Sequence, residues 1–252
     1  MAAGSGGFHF EQMPNGWEVG RFTPLSELAG LDHMVSTRRG PDVMAIAGDI
    51  GSPAVPVAAA LGLREIAWCR QVHGADVLAV ESGGFAGDCD GLVTNVASLG
   101  LMVRGADCPL ILAADAASGA VGAAHASWRG TRSRIAERLV SSLVERFGAD
   151  PSRLVACICP SAGPCCYEVG DDVRQEMLEH VGPHAEEFFI QRGGAMHLDL
   201  WAANADQLVR AGLHAGNVHV AGCCTMCNVD RFPSYRREAA AAGRFVAAIG
   251  RP

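Results

Sequence analysis

The chain has 252 residues, 49% of them hydrophobic and 19% charged, with a formal net charge of −7. Length and composition describe a globular protein, and we read a single domain over 1–252. The acidic balance excludes nucleic acid as a partner, because polyphosphate binding draws on a basic surface; it leaves room for a small phosphorylated ligand held by local arginines.

The opening segment "MAAGSGGFHFEQMPNG" lacks a basic stretch followed by an apolar core, so it does not read as a secretory signal. No run reaches the roughly 18–20 apolar residues of a membrane span. The expectation is a soluble, cytoplasmic monomer without a membrane partner. Ten cysteines are present, and in a reducing compartment most should be small buried hydrophobes rather than disulfides.

In chain order, short runs rich in Val, Ile and Leu with Gly, Pro or Asp at their borders read as strands. They are "VMAIAG" (43–48), "EIAWCRQVH" (65–73), "DVLAV" (76–80), "DGLVTN" (90–95) and "LGLMVRGADC" (99–108). "LILAAD" (110–115), "AVGAAHA" (120–126), "RLVACIC" (153–159) and "NVHVAGC" (217–223) follow. Three longer stretches read as helices. In 131–148, Ile135, Leu139, Leu143 and Phe147 recur every four residues and Gly148 suits the C-terminal cap. The segment 171–182 opens with acidic residues, as the helix dipole prefers, and 198–212 completes the set. Hairpin-like strands first and helices later suit an α/β (α+β) sandwich with mixed sheets better than a regular βαβ alternation.

Three chemically active side chains close strand-like runs: His73 in "QVHGAD", Cys108 in "RGADCPL" and His125 in "AAHASWRG". They are too far apart for a local zinc knuckle, but strand ends gathered at one sheet edge bring distant residues together. Two imidazoles and one thiolate match the three-ligand form of a catalytic zinc with an open fourth position. The bland alternative is that each histidine is a structural core residue.

Arg38, Arg129 and Arg236 are candidate phosphate holders, since a guanidinium forks onto two phosphate oxygens. The competing role is an ion pair with an acid such as Asp90 or Asp107, or a solvated face for Arg236. Asp107 either orients a ligand imidazole or serves backbone or arginine. Trp128, Tyr167 and Glu168 are candidate pocket residues, with plain packing as the alternative for the aromatics. In "CTMC", Cys224 and Cys227 have the spacing of half a zinc ribbon or a redox dithiol. Their nearest partners, Cys165 and Cys166, are adjacent and a poor chelate, so we read inert thiols. His180 and His184 are split by Pro183 and make no metal pair.

Seven motifs occur in order: "RQVHGADV", "DGLVTN", "RGADCPLILAAD", "AHASWRG", "GPCCYEVGDDV", "HLDLWAANADQL" and "CTMC…SYRRE". Together they resemble the YfiH family of laccase-domain, or polyphenol-oxidase-like, proteins, from about residue 30 to the C-terminus. The peptidoglycan-editing factor and the human protein FAMIN belong to it. The resemblance implies a layered α-β-β-α sandwich and zinc on His73, Cys108 and His125. It further implies phosphorolysis of adenosine, inosine, guanosine and S-methyl-5'-thioadenosine, with adenosine deamination beside it. Copper-dependent polyphenol oxidation is a second reading, and copper competes well for a His2Cys set. A third is a cysteine or metal-dependent hydrolase that edits peptidoglycan precursors, with Cys108 as nucleophile. A multicopper cluster is disfavoured because the chain has no His-x-His.

Three departures from the family pattern stand out. Ser127 replaces a glycine and should narrow the space beside His125. Cys159 and Ala162 replace glycine and isoleucine, and the stretch between Ile50 and Arg64 is hardly recognisable.

Overall fold

Two stacked sheets organise the molecule, a computed structural model that describes residues 7–252. The seven-stranded sheet runs, in spatial order, Phe8–Gln12, Glu18–Phe22, Asp32–Ser36, Phe245–Gly250, Leu99–Gly105, Glu65–Arg70 and Gly84–Asp88. The six-stranded sheet runs Val218–Val220, Val155–Ile158, Leu110–Asp115, Ala120–His125, Gly91–Thr94 and Val77–Ala79. Both are mixed: Glu65–Arg70 lies parallel to both neighbours, whereas Phe245–Gly250 is antiparallel to its own.

The continuous apolar runs of the sequence follow from burial of both strand faces. Along Leu99–Gly105, Leu99, Leu101 and Val103 point into the core between the sheets, while Met102 faces the outer layer. Along Leu110–Asp115, Leu110, Leu112 and Ala114 meet that central core, and Ile111 and Ala113 meet helices on the far side. Successive side chains leave opposite faces of a strand, so one run serves two cores.

Helix Ile135–Phe147 covers the six-stranded sheet with Ile135, Leu139 and Leu143, all fully buried. Burying each such side chain stabilises by about 1.5–3 kcal/mol. Leu208 of helix Leu200–Arg210 joins the same layer. On the opposite side, helices Val43–Gly48 and Ala54–Ala60 place Ile46 and Val57 over Met34, Met102 and Val246. The result is the expected single-domain α-β-β-α sandwich. Among the described residues, no helix is long and apolar enough to cross a membrane.

Several local expectations are corrected. Residues 43–48 form a helix, not a strand, because the Asp42 carboxylate caps it by accepting from the N–H of Met44 at 2.8 Å and Ala45 at 3.2 Å. The helix foreseen over 131–148 is two, Trp128–Arg132 and Ile135–Phe147, because Arg134 adopts a left-handed φ of 63° between them. The divergent stretch 50–64 contains the short helix Ala54–Ala60.

Candidate active site

His73, Cys108 and His125 lie together at one end of the sandwich, where Cys108 sits in a crossover from one sheet to the other. His73 follows strand Glu65–Arg70, Cys108 sits in the crossover between Leu99–Gly105 and Leu110–Asp115, and His125 ends strand Ala120–His125. One ligand-type atom from each falls within 4.8 Å of the others. The two imidazoles meet nearly edge to face, with ring centroids 4.9 Å apart.

Backbone geometry aims two of the three. His73 has φ 61° and Asp107, just before Cys108, has φ 82°. Left-handed backbone at a non-glycine residue costs of order 1 kcal/mol and persists only where surroundings enforce it. Here Gln71 supplies part of the constraint: its side-chain amide donates to the Arg104 carbonyl and accepts from the Arg104 N–H, both at 2.8 Å.

Asp90 supplies the rest. Its fully buried carboxylate accepts the consecutive N–H groups of Val72 (3.1 Å), His73 (3.1 Å) and Gly74 (2.7 Å). The same group accepts from Nδ1 of His125 at 2.8 Å, which commits that nitrogen and leaves Nε2 for the site. Gly130 completes the fit, since a Cβ there would stand 2.8 Å from the Gly74 carbonyl oxygen. Ser127 lines the cavity beside His125, and its hydroxyl caps helix Trp128–Arg132 by accepting from the Gly130 N–H at 3.1 Å.

Charges follow this wiring. Burial lowers the affinity of His125 for a proton, but the Cys108 sulfur and the Asp90 carboxylate outweigh it and lift its pKa to about 9. Desolvation, and then the His125 charge, push His73 below its ordinary value, favouring a neutral imidazole. Burial opposes ionisation of Asp90, yet hydrogen bonds from His125, Gly74 and Val72 hold its carboxyl below the usual value.

The three residues open on a cavity of about 430 Å³, a size suited to a small organic ligand. Arg129 and Arg236, with Trp128 and Tyr167, line it as the sequence reading expected; Arg104 and Arg244 line it too and were not foreseen. Each aromatic carries a guanidinium over its ring, Arg129 at 4.5 Å from the Trp128 centroid and Arg236 at 4.6 Å from that of Tyr167. Arg236 also donates to the Glu168 carbonyl at 2.9 Å, and Arg104 to that of Ile46 at 2.6 Å. Desolvation, and then Arg244, lower the pKa of Arg104. Four guanidinium groups around one cavity of an acidic chain form a field that an anion relieves.

Asp107, the carboxylate in the lining, is consumed elsewhere. It accepts from Thr225 Oγ1 (2.6 Å), Ser234 Oγ (3.0 Å) and the Arg236 N–H (2.7 Å). It therefore positions the C-terminal segment, and Asp90 is the acid that orients an imidazole. Arg38 is not brought to this cavity. Its guanidinium pairs with Glu238 at 2.5 Å and donates to the Val229 carbonyl at 2.8 Å, in a separate cleft.

The donor set suits a borderline metal: two imidazoles, one with its tautomer fixed by a carboxylate, and a thiol beside them. Fold and site thus define a layered sandwich protein with a candidate metal centre between its sheets. A family profile described as "Multi-copper polyphenol oxidoreductase laccase" matches residues 54–252. The chain belongs to this laccase-domain, or YfiH, family. It is 40% identical over 198 residues to the "Purine nucleoside phosphorylase" of Deinococcus radiodurans, a match covering 78% of this chain and 75% of that one. It is 36% identical over 164 residues to "Adenosine deaminase RL5" of an unknown prokaryotic organism, covering 64% and 62% of the two chains. The crystal structure of Bacillus licheniformis hypothetical protein YfiH superposes with a TM-score of 0.84 at 26% identity, covering 96% of this chain and 99% of that one.

Proposed function

We propose that the chain is a zinc-dependent purine nucleoside phosphorylase that acts at the His73–Cys108–His125 cavity. The observation that carries this reading is the meeting, in one cavity of about 430 Å³, of a His–Cys–His donor set, four arginines and the aromatic rings of Trp128, Tyr167 and Tyr235. The relative named purine nucleoside phosphorylase supports it.

In phosphorolysis a phosphate oxygen attacks the anomeric carbon of the ribose, the bond to the purine nitrogen breaks, and the base leaves with a proton. His73, Cys108 and His125 would hold the metal, and a bound zinc supplies Lewis-acid stabilisation of an oxyanion or activation of water. Arg129 and Arg236 are held against aromatic rings, so their forks are ordered before the anion arrives. Trp128 and Tyr167 supply apolar ring surface for a flat base. Burial raises the Tyr167 hydroxyl to about 12, so it stays protonated at neutral pH and can donate to a ring nitrogen.

Adenosine deamination at the same cavity is a second reading, favoured by the similarity to the relative named adenosine deaminase. Water then replaces the exocyclic amine of adenine and ammonia leaves. Copper in place of zinc would account for polyphenol oxidation in this family, since a His2Cys set accepts both metals.

The test is purine release from adenosine, inosine, guanosine and S-methyl-5'-thioadenosine, with and without phosphate, by metal-loaded wild type and Cys108→Ala. Release that needs phosphate and vanishes in the variant is the expected result. Release that persists in Cys108→Ala would move the reaction away from this cavity.

A further inference from the structure

A second cluster lies behind Tyr167, outside the cavity. The adjacent pair Cys165 and Cys166, which the sequence suggested would chelate poorly, meets Cys224 and Cys227, with all four sulfurs within 4.8 Å of one another. The Cys165 and Cys227 sulfurs are 3.7 Å apart, and those of Cys166 and Cys227 3.4 Å. Four sulfurs at the usual zinc distance in a tetrahedron stand about 3.8 Å apart. A disulfide would need about 2 Å.

The backbone presents these sulfurs as a chelate. The carbonyl of Cys224 accepts from the N–H of Cys227 (3.2 Å), the N–H of Asn228 (3.0 Å) and the Asn228 side-chain amide (2.8 Å). This knuckle turns Cys224 and Cys227 to one side. A second tight turn, in which the Gly163 carbonyl accepts from the N–H groups of Cys166 and Tyr167 at 2.9 Å, carries the other pair. The Gly163 N–H donates to the Cys224 sulfur at 3.3 Å, the kind of bond that favours thiolate.

We propose that Cys165, Cys166, Cys224 and Cys227 form a second, closed site that binds one zinc-class divalent ion by four thiolates. Four protein ligands leave no position for substrate, so the ion staples rather than reacts. It joins the turn that carries Tyr167 to the loop whose Thr225 hydroxyl donates to Asp107, two elements that shape the cavity. The site does not depend on the phosphorylase reading.

The experiment measures zinc content in wild type and in Cys108→Ala, where the other donor set is broken. Expected are about one zinc per chain remaining in Cys108→Ala, and thiols in that variant that react at least roughly tenfold faster after chelation. Cobalt(II) in Cys108→Ala should give intense sulfur-to-metal charge-transfer bands, lost when Cys224→Ser and Cys227→Ser are added. Because the Cys224 and Cys227 variants risk misfolding, the thiol measurement on Cys108→Ala, which keeps all four cysteines of the cluster, stands by itself. Metal-free Cys108→Ala with four immediately reactive thiols, or disulfides among the four by mass spectrometry, would overturn the proposal.

Discussion

The His–Cys–His cluster and the four-cysteine cluster share a chemistry of soft donors and differ in everything around it. The first opens on a cavity with four arginines, and one of its imidazoles is wired to a buried carboxylate. The second is bounded by two backbone turns, with no arginine donating to its sulfurs among the described residues. On the two proposals, three donors with a charged cavity would make a place for chemistry, and four donors with none a cross-link. The lesson is that the surroundings of a donor set, more than the donors, decide its task.

The largest effect that can break this contrast is loss of Cys108. Cys108→Ala should abolish turnover, by about a thousandfold or more, while the thermal midpoint stays near that of wild type. Thermal unfolding beside rate measurements checks both halves. Next comes Asp90→Asn, which removes the charge that orients His125 and accepts three turn amides. Metal affinity should fall about 10–100-fold, measured by competition with a chelating dye, because Asn keeps the shape but loses the anion.

The two arginine environments sharpen the comparison further. Arg129→Ala should raise the KM for phosphate roughly tenfold or more, since a hydrogen bond to a charged group contributes about 1.5–3 kcal/mol. Arg38→Ala should leave that KM unchanged and cost at most about 1 kcal/mol through its partly exposed pair with Glu238. Steady-state kinetics with phosphate as the varied substrate separates them.

Proton competition gives a smaller but signed effect. In the metal-free protein His125 keeps its proton up to about pH 9, so a metal must displace it at neutral pH. Apparent affinity should therefore climb by at least about tenfold per pH unit below that value. The same raised pKa makes the contacts of His125 with Cys108 and Asp90 stabilising below the unfolded value near 6.5. That stabilisation fades as pH rises through about 9 in the apo protein. Smallest of all, Ser127→Gly should cost only a few tenths of a kcal/mol, and Ser127→Ala about 1 kcal/mol, because the hydroxyl acts as a helix cap.

What the sequence made legible follows from where information is local. The strands Leu110–Asp115 and Ala120–His125 announced themselves because they are buried on both faces and read as unbroken apolar runs. His73, Cys108 and His125 stood out by position at run ends and by ordered motifs. The strand Phe245–Gly250, central to its sheet, is not among the sequence-based expectations although "FVAAIG" is just such a run. In sequence Asp90 reads only as an arginine partner, because accepting from a turn seventeen residues away has no local sign. The helix Val43–Gly48 misled since an apolar six-residue run suits either element, and only Asp42 before it signals a cap. Convergence of Cys165 and Cys166 on Cys227 depends on the crossing of two loops, which no spacing rule encodes.

The most direct test of the proposed chemistry is to identify the product formed from adenosine and phosphate by metal-loaded protein. Phosphorus NMR should show ribose 1-phosphate growing in step with free adenine, the outcome that a metal centre set among arginines predicts. Free ribose with adenine and no sugar phosphate, or no product at all with the metal sites full, would contradict it.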